Sequence, residues 1–130
     1  MKVKDVMESS TCFLYEEDTI LHASQLMKEE RTRNLPVVDQ NKKLVGLITL
    51  REIIETVFHN PDKILLSAAM LRQEQVKCVK PDEDLTRAIE VMMTNKFGCL
   101  PVIDNKGKLI GIISEANLLK VLHKHSSLPV

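Results

Sequence analysis

Two hydroxyl side chains, Thr49 and Ser114, stand where an apolar strand gives way to a helical pattern, each three residues after a glycine, Gly46 or Gly111. A helix start presents free backbone N–H groups and the positive end of the helix dipole, which together suit an anion such as a phosphate. A carboxylate one turn further in, as Glu52 is after Thr49, has the reach to hold a ribose hydroxyl pair, as acidic residues do in dinucleotide sites. The same residues also fit a purely structural role. Thr49-Leu50-Arg51-Glu52 reads as a capping box, the hydroxyl bonding the N3 amide while Glu52 reaches back. Arg51 bears on the choice, because a cation in the first turn opposes the dipole at a cost of about 0.3–1 kcal/mol, which a bound phosphate would offset. Glu115, after Ser114, is comfortable without a ligand and would repel an anion. Arg31 and Arg33 add positive charge near the first hydroxyl, although helix-end cations are also at home in solvent. The surroundings of Thr49 are therefore the better anion site.

Other chemistry has little to stand on. The four histidines, His22, His59, His123 and His125, are scattered, and Cys12, Cys78 and Cys99 are widely spaced among apolar residues. The cysteines read as reduced, buried thiols of a cytoplasmic protein rather than as disulfides or metal ligands. No nucleophile elbow, GxGxxG or phosphate-loop pattern is present, so neither an enzyme nor a metal site is expected. Charge is balanced, with 18 Lys plus Arg against 18 Asp plus Glu, so no net field draws the chain to nucleic acid or an anionic membrane. Aromatic residues make up 3% of the chain, which leaves little for base stacking. No apolar run reaches the length of about 18 residues that a membrane span needs, and the first ten residues lack the apolar stretch of a signal peptide.

The elements that must position these residues are written twice. Leu35 to Val57 (LPVVDQNKKLVGLITLREIIETV) and Leu100 to Leu122 (LPVIDNKGKLIGIISEANLLKVL) match at a constant offset of 65 positions. Each unit reads as strand, helix, strand, strand, helix. Thr11 to Tyr15 and Val76 to Val79 are the expected opening strands. Asp18-Thr19 and Asp84 are caps for helices carrying Ile20, Ala23, Leu26 and Met27, or Leu85, Ala88, Ile89 and Met92, on one face. Leu35 to Val38 and Leu44 to Ile48 form a hairpin around the turn Asp39 to Lys43, with Pro36 at an edge or strand start. Leu50, Ile53, Ile54, Val57 and Phe58 mark the apolar face of the closing helix, as do Leu118, Leu119 and Leu122 in the second copy. Gly46 and Gly111 inside their strands mark a bulge, tight packing between the two units, or close approach of a ligand. The expected division is 1–60 for the first repeat, 61–75 for a linker with a lead-in helix beginning at Asn60-Pro61, 76–125 for the second repeat and 126–130 for a frayed tail. Leu65 to Met70 reads as a lead-in to the second copy, as Val3 to Met7 is to the first.

The doubled LPV-(V/I)-D…G-hydrophobic-hydrophobic-(T/S) pattern, with its upstream strand and helix, resembles the cystathionine-beta-synthase (CBS) domain over nearly the whole chain. The resemblance implies an α+β fold of two tandem CBS repeats packed as a pseudo-two-fold intertwined pair, a Bateman module. It implies a stand-alone regulatory protein that senses AMP, ADP, ATP, S-adenosylmethionine or a cyclic dinucleotide and passes the signal to a partner. The alternative is a degenerate pair without ligand that serves dimerisation and interaction. Pairs of this family form homodimers through their helices, and an unknown effector protein is the expected partner, with no nucleic acid or membrane. By the family's motif, Thr49 and Ser114 contact ribose or phosphate, and the ribose-binding Asp falls on Glu52 and Asn117. The phosphate-binding Arg before the Leu-Pro pair falls on Asn34 and Cys99, with Arg33 one residue away. The adenine would lie against Thr11, Cys12 and Pro36 in the first cleft and against Val76, Lys77 and Pro101 in the second; Arg51 joins the first cleft on the phosphate side.

Overall fold

The computed structural model describes residues 1–9 and 12–125. Its contacts divide the chain into two compact units, one of residues 12–77 with 106–109 and one of residues 1–9, 78–105 and 110–125. The first contains β1 (Leu14–Tyr15), α1 (Ile20–Glu30), β2 (Asn34–Val38), β3 (Leu44–Thr49), α2 (Leu50–His59) and β4 (Leu71–Arg72). Its sheet runs in the order β1-β2-β3-β4, parallel between β1 and β2 and antiparallel elsewhere. The second contains α3 (Leu85–Asn95), β5 (Cys99–Ile103), β6 (Leu109–Ser114) and α4 (Glu115–His125), with β5 paired to β6. The fold is α+β, as the family resemblance implies.

Local chemistry explains the boundaries. The Thr19 hydroxyl accepts from the His22 N–H at 3.0 Å and starts α1, while the Asp84 carboxylate accepts from the Thr86 N–H at 3.0 Å and starts α3. In the β2–β3 hairpin the Asp39 carboxylate accepts from the N–H groups of Asn41 and Lys43, at 2.8 and 3.0 Å. Both α1 and α3 end on a cation in the left-handed region, Arg31 at φ 54 and Lys96 at φ 57. A side chain there costs about 1–2 kcal/mol, so Lys96→Gly is expected to raise stability by about 0.5–1 kcal/mol, net of the lost helix-end charge, seen as a higher urea midpoint.

The lead-in segments are exchanged between the repeats. Leu66 is fully buried in the first unit's core with Leu14, Ile20, Ile48 and Ile53, and Val3 is fully buried in the second with Val79, Leu100 and Ile113. The same two bonds hold both segments. Ile20 N–H donates to the Ile64 carbonyl at 2.8 Å and Leu66 N–H to the Asp18 carbonyl at 2.9 Å; Leu85 donates to Met1 and Val3 to Glu83, each at 2.9 Å. The segment read as introducing the second copy thus completes the first, and the one read as introducing the first completes the second.

Three expectations are corrected. No helix begins at Asn60-Pro61: Asn60 ends α2, its N–H donating to the Thr56 carbonyl, and 61–75 holds short 3-10 turns and β4. Val76 to Val79 is not a regular strand, and Val79 alone makes a parallel bridge, to Val102. Pro36 sits inside β2, which has a neighbour on each side. It is tolerated because β1 reaches only Val37 and Val38, so no donor is needed from the proline on that side. Of the apolar α2 positions only Ile53 is buried, while Leu50, Ile54, Val57 and Phe58 remain exposed.

Candidate functional site

In the first unit the sheet brings several of the expected residues to one end. Asn34 opens β2 directly opposite Thr49, which closes β3. The Leu50 N–H donates to the Arg33 carbonyl at 2.9 Å, tying residue 33 to the start of α2. Cys12 immediately precedes the β1 region, and since β1 runs parallel to β2, it lies at the same end as Asn34. Burial, followed by a hydrogen bond with Glu30 at the end of α1, pushes the Cys12 thiol up. Pro36 is fully buried and belongs to the interior. Thr11 falls outside the described residues.

At the α2 start only half of the capping box forms. The Thr49 hydroxyl accepts from the Glu52 N–H at 3.1 Å. Among the described residues the Glu52 carboxylate has no hydrogen-bond or ion-pair partner, and the residue is partly exposed. Arg51 does not join the group. Its Nε donates to Glu55 Oε1 at 3.2 Å across one turn, with the side chain 83% exposed, so the cost of a cation in the first turn is offset within the helix. The spacing Arg51-x-x-x-Glu55 carried that signal in the sequence.

The second unit treats the equivalent position differently. Asn117 is 4% exposed, and its Oδ1 accepts from the Ser114 N–H at 2.8 Å and from the Ser114 hydroxyl at 2.9 Å. The Ser114 hydroxyl in turn accepts from the Asn117 N–H at 3.3 Å, which completes the reciprocal cap. The remaining amide group, Nδ2, donates to Glu8 Oε1 at 2.9 Å, a partner 109 positions away. Glu8 was not among the residues picked out from the sequence, where it is one acidic residue in a charged lead-in. Aligning Val3 to Met7 with Leu66 to Met70 would have put it level with Leu71. Cys99 is buried, and burial together with Glu115 pushes its thiol up to about 12. Pro101 is buried and its carbonyl accepts from the Val79 N–H at 3.0 Å. Val76 and Lys77 belong to the other unit, Val76 buried and Lys77 exposed.

The two glycines are explained by backbone. A Cβ on Gly111 would meet the Glu8 carbonyl oxygen at 2.7 Å and Met7 Sδ at 2.9 Å, and one on Gly46 would meet the Leu71 carbonyl oxygen and Met70 Cε. Each glycine admits a lead-in that sequence order assigns to the other copy, so the close approach is the expected tight packing between the two copies, made by backbone. Two open grooves lie along helices: one of about 440 Å³ beside Ile20, Ser24, Ile53 and Val57, and one of about 480 Å³ beside Ile89, Met92, Phe97 and Leu118. Among the described residues no group of three or more His, Cys, Asp or Glu is arranged to hold a metal, and no helix is long and apolar enough to cross a membrane.

The two helix starts should respond unequally to truncation. Asn117→Ala strips a buried network of its acceptor and donor and is expected to cost about 2 kcal/mol. Glu52→Ala removes a carboxylate without a hydrogen-bond partner among the described residues and should cost only its helix-dipole contribution, about 0.3–1 kcal/mol. Urea denaturation of the two variants compares them directly.

A family model described as the CBS domain matches residues 3–59 and again 68–130. An uncharacterized 17.7 kDa protein of Acidianus ambivalens is 31% identical over 121 residues, covering 93% of this chain and 73% of that protein. Other relatives are longer, and the chain spans 60% of one from Methanocaldococcus jannaschii and 22% of an inosine-5'-monophosphate dehydrogenase from the same organism. Among solved structures, the CBS domain pair of protein MJ0100, in complex with 5'-methylthioadenosine and S-adenosyl-L-methionine, superposes with a TM-score of 0.86 at 23% identity, over 97% of this chain and 98% of that one. CBSX2 in complex with AMP superposes with a TM-score of 0.85 at 24% identity, over 95% and 96%. At these identities the likeness establishes the fold.

Proposed function

Because the chain belongs to the CBS domain family, carrying one copy over residues 3–59 and another over 68–130, we propose that it is a regulatory binding module rather than an enzyme, and that it takes an adenosine-containing ligand at the start of α2. The observation that carries this reading is the Glu52 carboxylate, partly exposed and unpartnered among the described residues one turn into a helix that Thr49 caps. A carboxylate left unpaired there is suited to a ribose hydroxyl pair, two donors that match its two oxygens. Thr49, whose hydroxyl keeps its proton to donate, and Asn34, its partner across the β2–β3 ladder, are further polar residues at this end of the sheet. Arg33 is exposed and joined through its carbonyl to the same helix start, within reach of a phosphate. The complexes of MJ0100 and CBSX2, both with adenosine compounds, support this class of ligand.

A signal requires that the ligand bind one arrangement of the protein more tightly than another. We further propose that the arrangement is read by an effector protein through a homodimer of this chain, formed by the helices. Leu50, Ile54, Val57 and Phe58 on α2 and Leu119 and Leu122 on α4 are exposed and apolar, the faces such a dimer would cover. A cytoplasmic location suits the three unbridged thiols.

A thermal-shift panel of AMP, ATP, S-adenosylmethionine, 5'-methylthioadenosine and cyclic di-AMP tests the reading. A ligand at 100 times its Kd should stabilise the protein by about 2.7 kcal/mol, and Thr49→Val should remove the shift. No shift with any compound at millimolar concentration would defeat the proposal.

A further inference from the structure

The two repeats differ at one position that bears on how many ligands a chain can hold. Opposite the second half of β3 the exchanged lead-in places Leu71, paired with Leu47. At the matching point of β6 the other lead-in places Glu8, bridged to Ile112. Both backbone groups of Glu8 are committed there: its N–H donates to the Ile112 carbonyl at 2.9 Å, and its carbonyl accepts from the Ile112 N–H at 3.0 Å. Gly111 lets that backbone come close. The carboxylate is thus carried by a pinned residue, two positions along β6 from Ser114, and it receives the Nδ2 of the buried Asn117 at 2.9 Å.

From this geometry we infer that Glu8 is a built-in occupant of the second repeat's helix start and the residue that limits the chain to one adenosine ligand, bound at the first repeat; this rests on the reading of the first repeat given above. Asn117 holds the place that Glu52 holds in the first repeat, and its side chain is already engaged: both acceptor positions of Oδ1 are taken by Ser114, and one N–H of Nδ2 is given to Glu8. A ribose hydroxyl approaching Oδ1 finds it filled by Ser114, one approaching Nδ2 competes with the Glu8 carboxylate, and a phosphate at the same start would meet the carboxylates of Glu8 and Glu115. In the first repeat Leu71 brings no acceptor, and the Glu52 carboxylate is left unpaired among the described residues. Asymmetry in occupancy therefore follows from one residue in a segment that sequence order assigns to the other repeat.

The test is binding stoichiometry by isothermal titration with AMP, and with neutral adenosine as a second probe. Wild type should take one equivalent per chain, lost in Thr49→Val. Glu8→Leu, which installs the residue the first repeat carries at the matching point, should take a second equivalent, and adding Ser114→Ala should remove that second one. Glu8→Ala serves the same purpose if the leucine variant does not fold. Two equivalents bound by wild type, or no gain in either Glu8 variant, overturns the inference. If wild type binds nothing while Glu8→Leu binds one equivalent that Ser114→Ala abolishes, the inference stands and the assignment of the first repeat falls.

Discussion

Replacing Leu66 with alanine is expected to cost about 3 kcal/mol of folding stability. Its side chain is fully buried, packed with Leu14, Ile20, Ile48 and Ile53 in the core of the first unit. Truncating a buried leucine loses its transfer free energy and leaves a cavity, together about 2–5 kcal/mol. Relaxation here is limited, because the segment is fixed on both sides of the side chain by the bonds from Ile20 to Ile64 and from Leu66 to Asp18. A residue in an ordinary linker would change stability by less than about 0.5 kcal/mol. Urea denaturation separates the two cases by a wide margin, and a small change would mean that the lead-in does not belong to this core.

The second large effect is expected at Gly46. Its partner across the ladder in β4 is Arg72, and the carbonyl oxygen of the preceding residue, Leu71, occupies the space a Cβ would need, with Met70 Cε 3.1 Å from that position. A methionine end can move aside, but a backbone oxygen cannot move without shifting β4. Gly46→Ala is therefore expected to cost about 2–3 kcal/mol, at the upper end of overpacking penalties. Gly107→Ala provides the comparison. That glycine has open space around it and a φ of 82, so the loss there is conformational, about 1–2 kcal/mol. Denaturation midpoints in the order Gly46→Ala below Gly107→Ala below wild type would bear this out, and equal losses would contradict it.

These two positions also mark how far the sequence could be read. Helices, hairpins and the repeat were legible because their signals are local: caps at Thr19 and Asp84, turn chemistry at Asp39, apolar spacing along α1 and α3. The glycines were legible as places of close approach, but not what approaches. Leu66 and Val3 begin similar short segments, and nothing local tells either one which core it fills; only long-range pairing does. Thr49 and Glu52 were legible from their spacing and Asn34 only through the family resemblance; Asn34 lies opposite Thr49 at one end of the first sheet, where Glu52 donates its N–H to the Thr49 hydroxyl. Glu8 was not found, because its significance depends on Asn117, far along the chain. Arg51 was weighed against the helix dipole alone, whereas Glu55 is what balances it.

The account turns on whether the unpaired carboxylate at the start of α2 receives a ribose. The most direct measurement is AMP affinity for wild type and for Glu52→Ala, by isothermal titration, with denaturation establishing that both are equally folded. Saturable binding by wild type that weakens at least about tenfold in the variant, corresponding to the loss of a charge-assisted hydrogen-bond pair of about 1.5–3 kcal/mol, is the predicted result. Binding of equal strength in both proteins, or none in either, would contradict it.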